Sequence, residues 1–533
     1  MSFAVSELAL AFRGRWLQKP VRPLITSLDR SSSLSSDTSP SRTNDAQADA
    51  IDPAGMRVIW LLLVAAFVAI LNETTMAIAI PELNVALGIP PELGQWLTSA
   101  FMLTMAVVIP TTGFLLQRFT TRQIFLAAMI LFSAGTLICL VAPGFTVLLV
   151  GRVVQAAGTG IMMPLLMTTI MNVVPAHSRG RMMGRVGLVI SLAPAIGPTM
   201  SGIVLDSLGW RWLFAIVLPI ALIALGFGAK WMTNLGESTH APIDIVSVVL
   251  SVLAFGGIVF GLSQFGGGQA GGSTTGSAWT AIAAGLVFLG LFAWRQLILQ
   301  KEDRALLDLR VFSAKNYVIA VVIMAVVSLA MFGTFSLLPL YLQNVAGLNA
   351  TQSGLVLLPG SILMGVLAPV MGRIYDARGP RTLLVPGSVM IAASMFAYSM
   401  VGVGTPTWVL VVIQTVMSLG LAGSFTPLFS ASLGSLDRKL YSHGSAALNT
   451  MQQVAGAAGT ALLISIYSSA LHSGEAAGRS VAESGSPGAH NAFLLAAVIA
   501  LVPVVLSFFI KKPEDQEDAP AEEVPLVPET PAT

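Results

Sequence analysis

Stretches of about twenty mostly apolar residues recur along almost the whole chain, at about 56–82, 95–117, 122–142, 146–172, 183–206, 211–234, 243–264, 278–298, 316–344, 352–376, 381–403, 407–434, 441–470 and 491–510. An α-helix needs roughly 20 residues to cross about 30 Å of hydrocarbon, and inside hydrocarbon only helices and closed barrels satisfy the backbone. The pattern predicts an all-α membrane protein with 14 transmembrane helices. Composition agrees: 55% of the residues are apolar and 10% charged, against about 25% charged in an ordinary globular chain. No soluble core could hide that much apolar side chain.

Basic residues orient the spans. Arg118, Arg122, Arg179, Arg181, Arg185, Lys230, Arg304, Arg310, Lys315, Arg373, Arg378, Arg381, Arg438, Lys439, Lys511 and Lys512 all fall in alternate loops or in the tails, and the opposite loops hold chiefly Arg211 and Arg479. The positive-inside rule assigns the basic side to the cytoplasm. An even span count then leaves both termini cytoplasmic, in a multi-pass protein of the plasma membrane. The expected organisation is a disordered cytoplasmic tail (1–55), a six-helix bundle (56–234), a linker region with two extra transmembrane helices (235–315), a second six-helix bundle (316–510) and a disordered acidic tail (511–533). The glycine-rich stretch at 266–277 reads as a flexible linker on the outer side.

Several function classes find no support in the sequence. The net charge of +2 gives no field for nucleic acid. No GxxxxGK[ST] phosphate cradle occurs, and the histidines at 177, 240, 443, 472 and 490 lack metal-ligand spacing. The single cysteine, Cys139, sits in an apolar run and excludes an internal disulfide. No enzyme activity, cofactor or metal is expected. The expected partners are a small-molecule substrate, protons and the lipid bilayer, and the chain is expected to be a monomer.

Two segments repeat. GFLLQRFTTR (113–122) follows the second span and GRIYDARGPR (372–381) the tenth, each placing a glycine near a span's basic end and arginines in a tight turn. If spans seven and eight are an insert, the second and tenth spans are equivalent members of two six-helix halves. Such a loop can latch neighbouring helices through carboxylate, guanidinium and helix-end interactions; alternatively its arginines only orient the protein.

Polar residues inside spans are costly and so informative. Glu73, in LNETTMAIAIP (71–81), is the only acidic side chain deep in any span, and Arg152, in GRVVQAAGTG (151–160), lies within hydrocarbon at a similar depth. A carboxylate there can bind and release a proton as access alternates, with Arg152 within reach to tune it; the alternatives are a structural carboxylate bonded to neighbouring helices and an arginine that only hydrogen-bonds carbonyls between helices. LAPAIGPTMSG (192–202) combines Gly197-Pro198 with Ser201-Gly202, small residues that let helices approach closely. Trp96, Phe101, Met105, Gln155, Met162 and Gln452 are candidates for a central cavity, because methionine and aromatic surfaces repack around varied apolar cations.

These segments resemble motifs of the major facilitator superfamily, over about 56–510. The loop signature is kept in the second copy by Gly372, Asp376, Gly379 and Arg381; the first copy keeps Gly113 and Arg122 but has Gln117 at the aspartate position. The Gly197, Pro198, Ser201, Gly202 set looks like the signature that separates antiporters from symporters, with Ala193 replacing its first glycine. Arg152, Gln155 and Gly158 match a fourth-helix motif whose arginine the resemblance implicates in proton transfer. LNET and SHGSAALNTMQQVAG resemble the fourteen-span drug:proton antiporters of the lincomycin-resistance type, with Asn72 at the usual aspartate position. The resemblance implies a major facilitator fold and proton-coupled antiport exporting hydrophobic or cationic drugs by alternating access. A dedicated exporter of an endogenous metabolite, lipid or peptide, or a proton symporter, remains open on sequence.

Overall fold

A computed structural model of the chain describes residues 53–89, 91–234, 244–266, 272–302, 304–348 and 350–512. The described residues form long α-helices joined by short turns and 3-10 segments, with no strand among them. In chain order the helices are α1 (Pro53–Leu87), α2 (Pro91–Arg118), α3 (Thr121–Leu140), α4 (Phe145–Val173), α5 (Arg179–Leu208), α6 (Arg211–Trp231), α7 (Ile245–Gly266), α8 (Gly272–Leu299), α9 (Lys315–Asn344), α10 (Ala350–Arg378), α11 (Arg381–Ser399), α12 (Thr407–Gly434), α13 (Tyr441–Ala476) and α14 (Val481–Ile499), the last continued by the short α15 (Leu501–Ser507). Of the expected tails, 1–55 and 511–533, residues 53–55 belong to α1 instead, and 1–52 and 513–533 lie outside the described residues, as do 267–271 of the glycine-rich stretch.

Thirteen helices among the described residues are long and apolar enough to cross a membrane. The fourteenth long helix is α5, whose 30 residues measure about 45 Å at roughly 1.5 Å per residue. Its apolar character is diluted by arginines in its first turns and by the Gly-Pro-Ser-Gly segment. Two expected boundaries move. The last span starts at Val481 rather than at 491, because Ser480 and Glu483 form a reciprocal capping box that starts the helix through a polar stretch. Residues 272–277, read from sequence as linker, belong to α8. Gly, Ser and Thr are poor helix formers in water, but near a membrane the helix is how a segment satisfies its own backbone.

Helix pairing repeats along the chain. In the first set α1 packs on α5, α2 on α4, α3 on α4 and α3 on α6; in the second, α9 packs on α13, α10 on α12, α11 on α12 and α11 on α14. Each second pair lies eight helices after the first, which leaves α7 and α8 outside the repeat. The seams between the sets obey the same relation, since α5 packs against α10 and α2 against α13. Helix α7 covers the α2/α13 seam and α8 packs behind it.

A polar tie fixes the foot of this added pair. Asp244, just before α7, accepts from Arg295 Nε and Nη2 at 2.6 and 2.8 Å and from Ser247 Oγ at 2.5 Å. Gln296 donates to Ser247 Oγ (2.8 Å) and accepts from the backbone N–H groups of Leu306 and Leu307 (2.8 and 3.2 Å). Leu306 and Leu307 in turn pack with Phe114 of α2 and Ala446 and Ala447 of α13.

Candidate functional site

A cavity of about 200 Å³ lies between the two sets of six helices. Its wall is rich in methionine and phenylalanine, among them Met105, Met162, Met331, Phe332 and Phe425, and also carries Glu73 of α1 and Asn449, Gln452 and Gln453 of α13. The last three recur at helical spacing, so one face of α13 presents them together. No hydrogen bond or ion pair from the described residues reaches the Glu73 carboxylate, which faces the cavity.

Arg152 is fully buried in α4 and does not pair with Glu73. Its Nη1 donates to Asn72 Oδ1 at 3.0 Å and to Gln155 Oε1 at 2.7 Å, its Nε to the Leu97 carbonyl at 3.4 Å, and its guanidinium lies 4.0 Å from the Phe101 ring centroid. Gln155 Nε2 continues the chain to Thr136 Oγ1 at 2.7 Å, and Nη2 of Arg152 has no hydrogen-bond partner among the described residues. Neutral carboxamide oxygens and an aromatic face thus hold a cation out of water, one residue away from a carboxylate that they leave free.

The small-residue segment of α5 braces that part of α1. A Cβ on Gly197 would collide with Thr74 Oγ1, and Ser201 Oγ donates to the Thr75 carbonyl at 3.0 Å. Pro198 and Gly202 lie on the same helix. The segment therefore sets how closely α5 approaches the turn that carries Glu73.

The loop signatures sit where the two sets meet. Asp376 Oδ1 and Oδ2 accept the backbone N–H groups of Gly180 and Arg181, each at 2.8 Å, at the start of α5. Those N–H groups have no intrahelical acceptor, and the helix end favours an anion. A Cβ on Gly372 would strike the Gly180 carbonyl, so the helices touch backbone to backbone. Gly379, at φ +78°, ends α10 with its N–H on the Tyr375 carbonyl at 2.8 Å, and Arg381 Nε donates to the Ile510 carbonyl at 2.7 Å.

In the first copy Gly113 lies against His443 of α13, Gln117 Nε2 donates to the Lys439 carbonyl at 2.9 Å, and Arg122 Nη2 donates to the Ala229 carbonyl at 2.7 Å. Ser445 Oγ adds a bond to the Pro164 carbonyl at 3.4 Å. Arg122 and Ala229 belong to one set, but the Asp376, Gly372, Gly113 and Gln117 contacts join the two sets at the ends bearing the basic loops, so the conformer is closed there.

Of the six cavity candidates from sequence, Met105, Met162 and Gln452 are on the wall. Phe101 and Gln155 belong to the Arg152 cluster instead. Trp96 packs on Phe260 of α7, ring centroids 5.7 Å apart. Sequence reasoning missed Asn449 and Gln453, although the polar i, i+3, i+4 spacing within an apolar span signals a shared inward face. It also missed Asn72 as the partner of Arg152.

Comparison with known proteins agrees with this architecture. The sequence profile described as Major Facilitator Superfamily matches residues 62–460. A lincomycin resistance protein from Listeria monocytogenes is 40% identical over 464 residues, 85% of this chain and 96% of that protein. A lincomycin resistance protein from Bacillus subtilis is 38% identical over 463 residues, 86% of this chain and 96% of its own length. A multidrug resistance protein B homolog from Mycobacterium tuberculosis is 29% identical over 421 residues, 78% of this chain and 76% of that protein. Among solved structures, the human organic anion transporter MFSD10 superposes with a TM-score of 0.59 at 15% identity, covering 86% of this chain and 100% of that one. The proton:xylose symporter XylE gives 0.58 at 13% identity, covering 87% and 97%. At these identities the two structures bear on the fold alone.

Proposed function

Because this chain belongs to the major facilitator superfamily of membrane transporters, we propose that it is a proton-coupled antiporter exporting hydrophobic or cationic drugs across the cytoplasmic membrane. The observation that carries this reading is the free carboxylate of Glu73 on the wall of a methionine- and phenylalanine-rich cavity between the two repeats. In such low-dielectric surroundings a carboxylate is poised to be neutral with a proton or ionised opposite a cation, so proton and substrate exclude each other at one group.

The names of the relatives support drugs as cargo, and the placement of basic residues supports cytoplasmic termini and a cytoplasmic position for the closed end. Alternating access then opens that end by breaking the Asp376 and Gln117 bonds, while substrate enters and protonated Glu73 releases its proton to the cytoplasm. Arg152 holds α1 through Asn72 and biases Glu73 through space. The protein works as a monomer, since each half supplies part of one cavity.

Inverted membrane vesicles loaded with acid test the reading. Uptake of a lipophilic cation driven by the acidic interior is expected, and uptake that ignores the pH gradient or requires its reversal overturns antiport.

A further inference from the structure

Connecting segments usually run exposed, because a buried one strands its backbone polar groups. The connection from α8 to α9 does the reverse. Ala305, Leu306, Leu307 and Asp308 follow one another without helical structure, and each is 5% exposed or less.

Side chains from two other helices satisfy that backbone. Gln296 Oε1 of α8 accepts the N–H groups of Leu306 and Leu307, and the His443 ring of α13 donates to the Leu306 carbonyl. His443 is itself buried and its Nδ1 has no partner among the described residues, so Nε2 makes the bond. Further on, Asp308 caps the 3-10 segment Leu309–Ser313 by accepting the Arg310 N–H, Val311 is fully buried, and Tyr317 at the start of α9 donates to the Gly444 carbonyl of α13 at 2.7 Å. These polar ties run to α8, to α9 and to α13.

What meets the first set of helices is apolar: Leu306 and Leu307 share a cluster with Phe114 of α2. Breaking a buried polar bond strands a donor or acceptor, whereas an apolar contact parts and re-forms without doing so. The plane along which this segment can come away therefore lies at Phe114. That plane is on the α2/α13 seam, where the loop motif has Gln117 in place of the aspartate that clasps the α5/α10 seam. Apolar closure is thus added to the seam that lacks the charged clasp.

We propose that residues 304–313 form a strap that closes the basic end of the α2/α13 seam, rides with the second set of helices as that end opens, and separates from α2 at Phe114. His443 is a positioning residue that holds the strap to α13. Through Gln296 the added pair α7 and α8 gains a part in the gate. Of the proposed function, this rests only on the opening of the closed end, whatever the cargo or the coupling ion.

Spin-label distances in the full-length protein test the strap, with cysteines introduced at the exposed residues Phe119 (end of α2), Arg438 (before α13) and Arg304 (strap). Leu306→Ala with Leu307→Ala, and separately Phe114→Ala, empty the same contact from either side. Each should raise the open fraction of the Phe119/Arg438 pair about tenfold. The new long component should recur in the Arg304/Phe119 pair and be missing from the Arg304/Arg438 pair, and Asp376→Asn, with its strap intact, should show the same division. His443→Leu should broaden the Arg304/Arg438 distances, while His443→Gln, which can still donate to the Leu306 carbonyl, should keep them narrow. An open fraction that neither contact variant moves overturns the strap, as does an Arg304/Arg438 distance that lengthens together with Arg304/Phe119. Unchanged Arg304/Arg438 distances in His443→Leu remove His443 from it. Proton-driven flux in vesicles reads the transport proposal separately: a protein that exports on a pH gradient while its contact variants leave the seam unmoved keeps that proposal and loses this one.

Discussion

Gln117 and Asp376 occupy the same position in the two copies of the loop motif, and each reaches across to the opposite set of helices with different chemistry. Asp376 places a charge on two free N–H groups at the start of α5, at 2.8 Å each, while the Gln117 bond across the seam, to the Lys439 carbonyl at 2.9 Å, is between neutral groups. Charge-assisted bonds to backbone are roughly twice as strong as neutral ones, and the helix end adds to the former. The closed end is thus held unequally, with the stronger clasp on the α5/α10 seam.

Asp376→Asn should loosen that clasp while leaving the side chain's shape unchanged. Losing the charge removes about 1–2 kcal/mol from the closed state, a shift of roughly 5- to 30-fold toward the form open at the basic end. Spin labels on cysteines introduced at the basic ends of α5 and α10 would report the longer distance, because the native Cys139 is buried and resists labelling. The corresponding Gln117→Ala change should shift the distribution by a few-fold at most.

Glu73→Gln should abolish proton-driven efflux without unfolding the protein. No described residue hydrogen-bonds the carboxylate, so a carboxamide strands no partner among them and the melting temperature should stay within about 2 °C, since unpartnered polar swaps cost little. Efflux as fast as that of the unmodified protein under an imposed pH gradient would remove Glu73 from the coupling step.

Arg152→Lys should behave in the opposite way. A single ammonium cannot reproduce bonds to Asn72, Gln155 and the Leu97 carbonyl together with the stack on Phe101. Stranding those buried acceptors costs about 1–3 kcal/mol, so a clearly lower melting temperature is expected, with transport lost in proportion to folded protein. An unchanged melt would mean that water or lysine fills the place of the guanidinium.

How far the sequence could lead differs between the span pattern and the site. Apolar run length and the alternation of basic loops made the all-α membrane fold legible, because the bilayer imposes both. The Arg152 partner was not legible: depth along a helix places Asn72 and Glu73 on one level, but successive residues turn by about 100°, so only one can face α4. Nothing in the runs says that α7 covers α2, which is why Trp96 packs on Phe260 instead of lining the cavity. The early start of α14 was readable in principle from Ser480 and Glu483, but the polar residues there mask it from any search for apolar runs.

The tie at the foot of the added helices gives a pH signature. The Arg295 hydrogen bond, ahead of the bonds from Ser247, holds the Asp244 carboxyl down at about 2. A depressed carboxyl contributes stability that is fully present above its unfolded value of about 3.9 and is lost as pH falls toward its folded one. Arg295 is partly exposed, with a relative side-chain accessibility of 36%, so the tie contributes about 1 kcal/mol or less. Arg295→Gln should therefore lower the melting temperature modestly, by the same amount at pH 8 as at pH 5, with the gap closing only below about 4. A gap that changes between pH 5 and 8 would assign the effect to some other titrating group. Unlike the Asp376 clasp, this tie joins α7 to α8 and does not cross the seam, so Arg295→Gln should leave the α5 to α10 distance distribution unmoved.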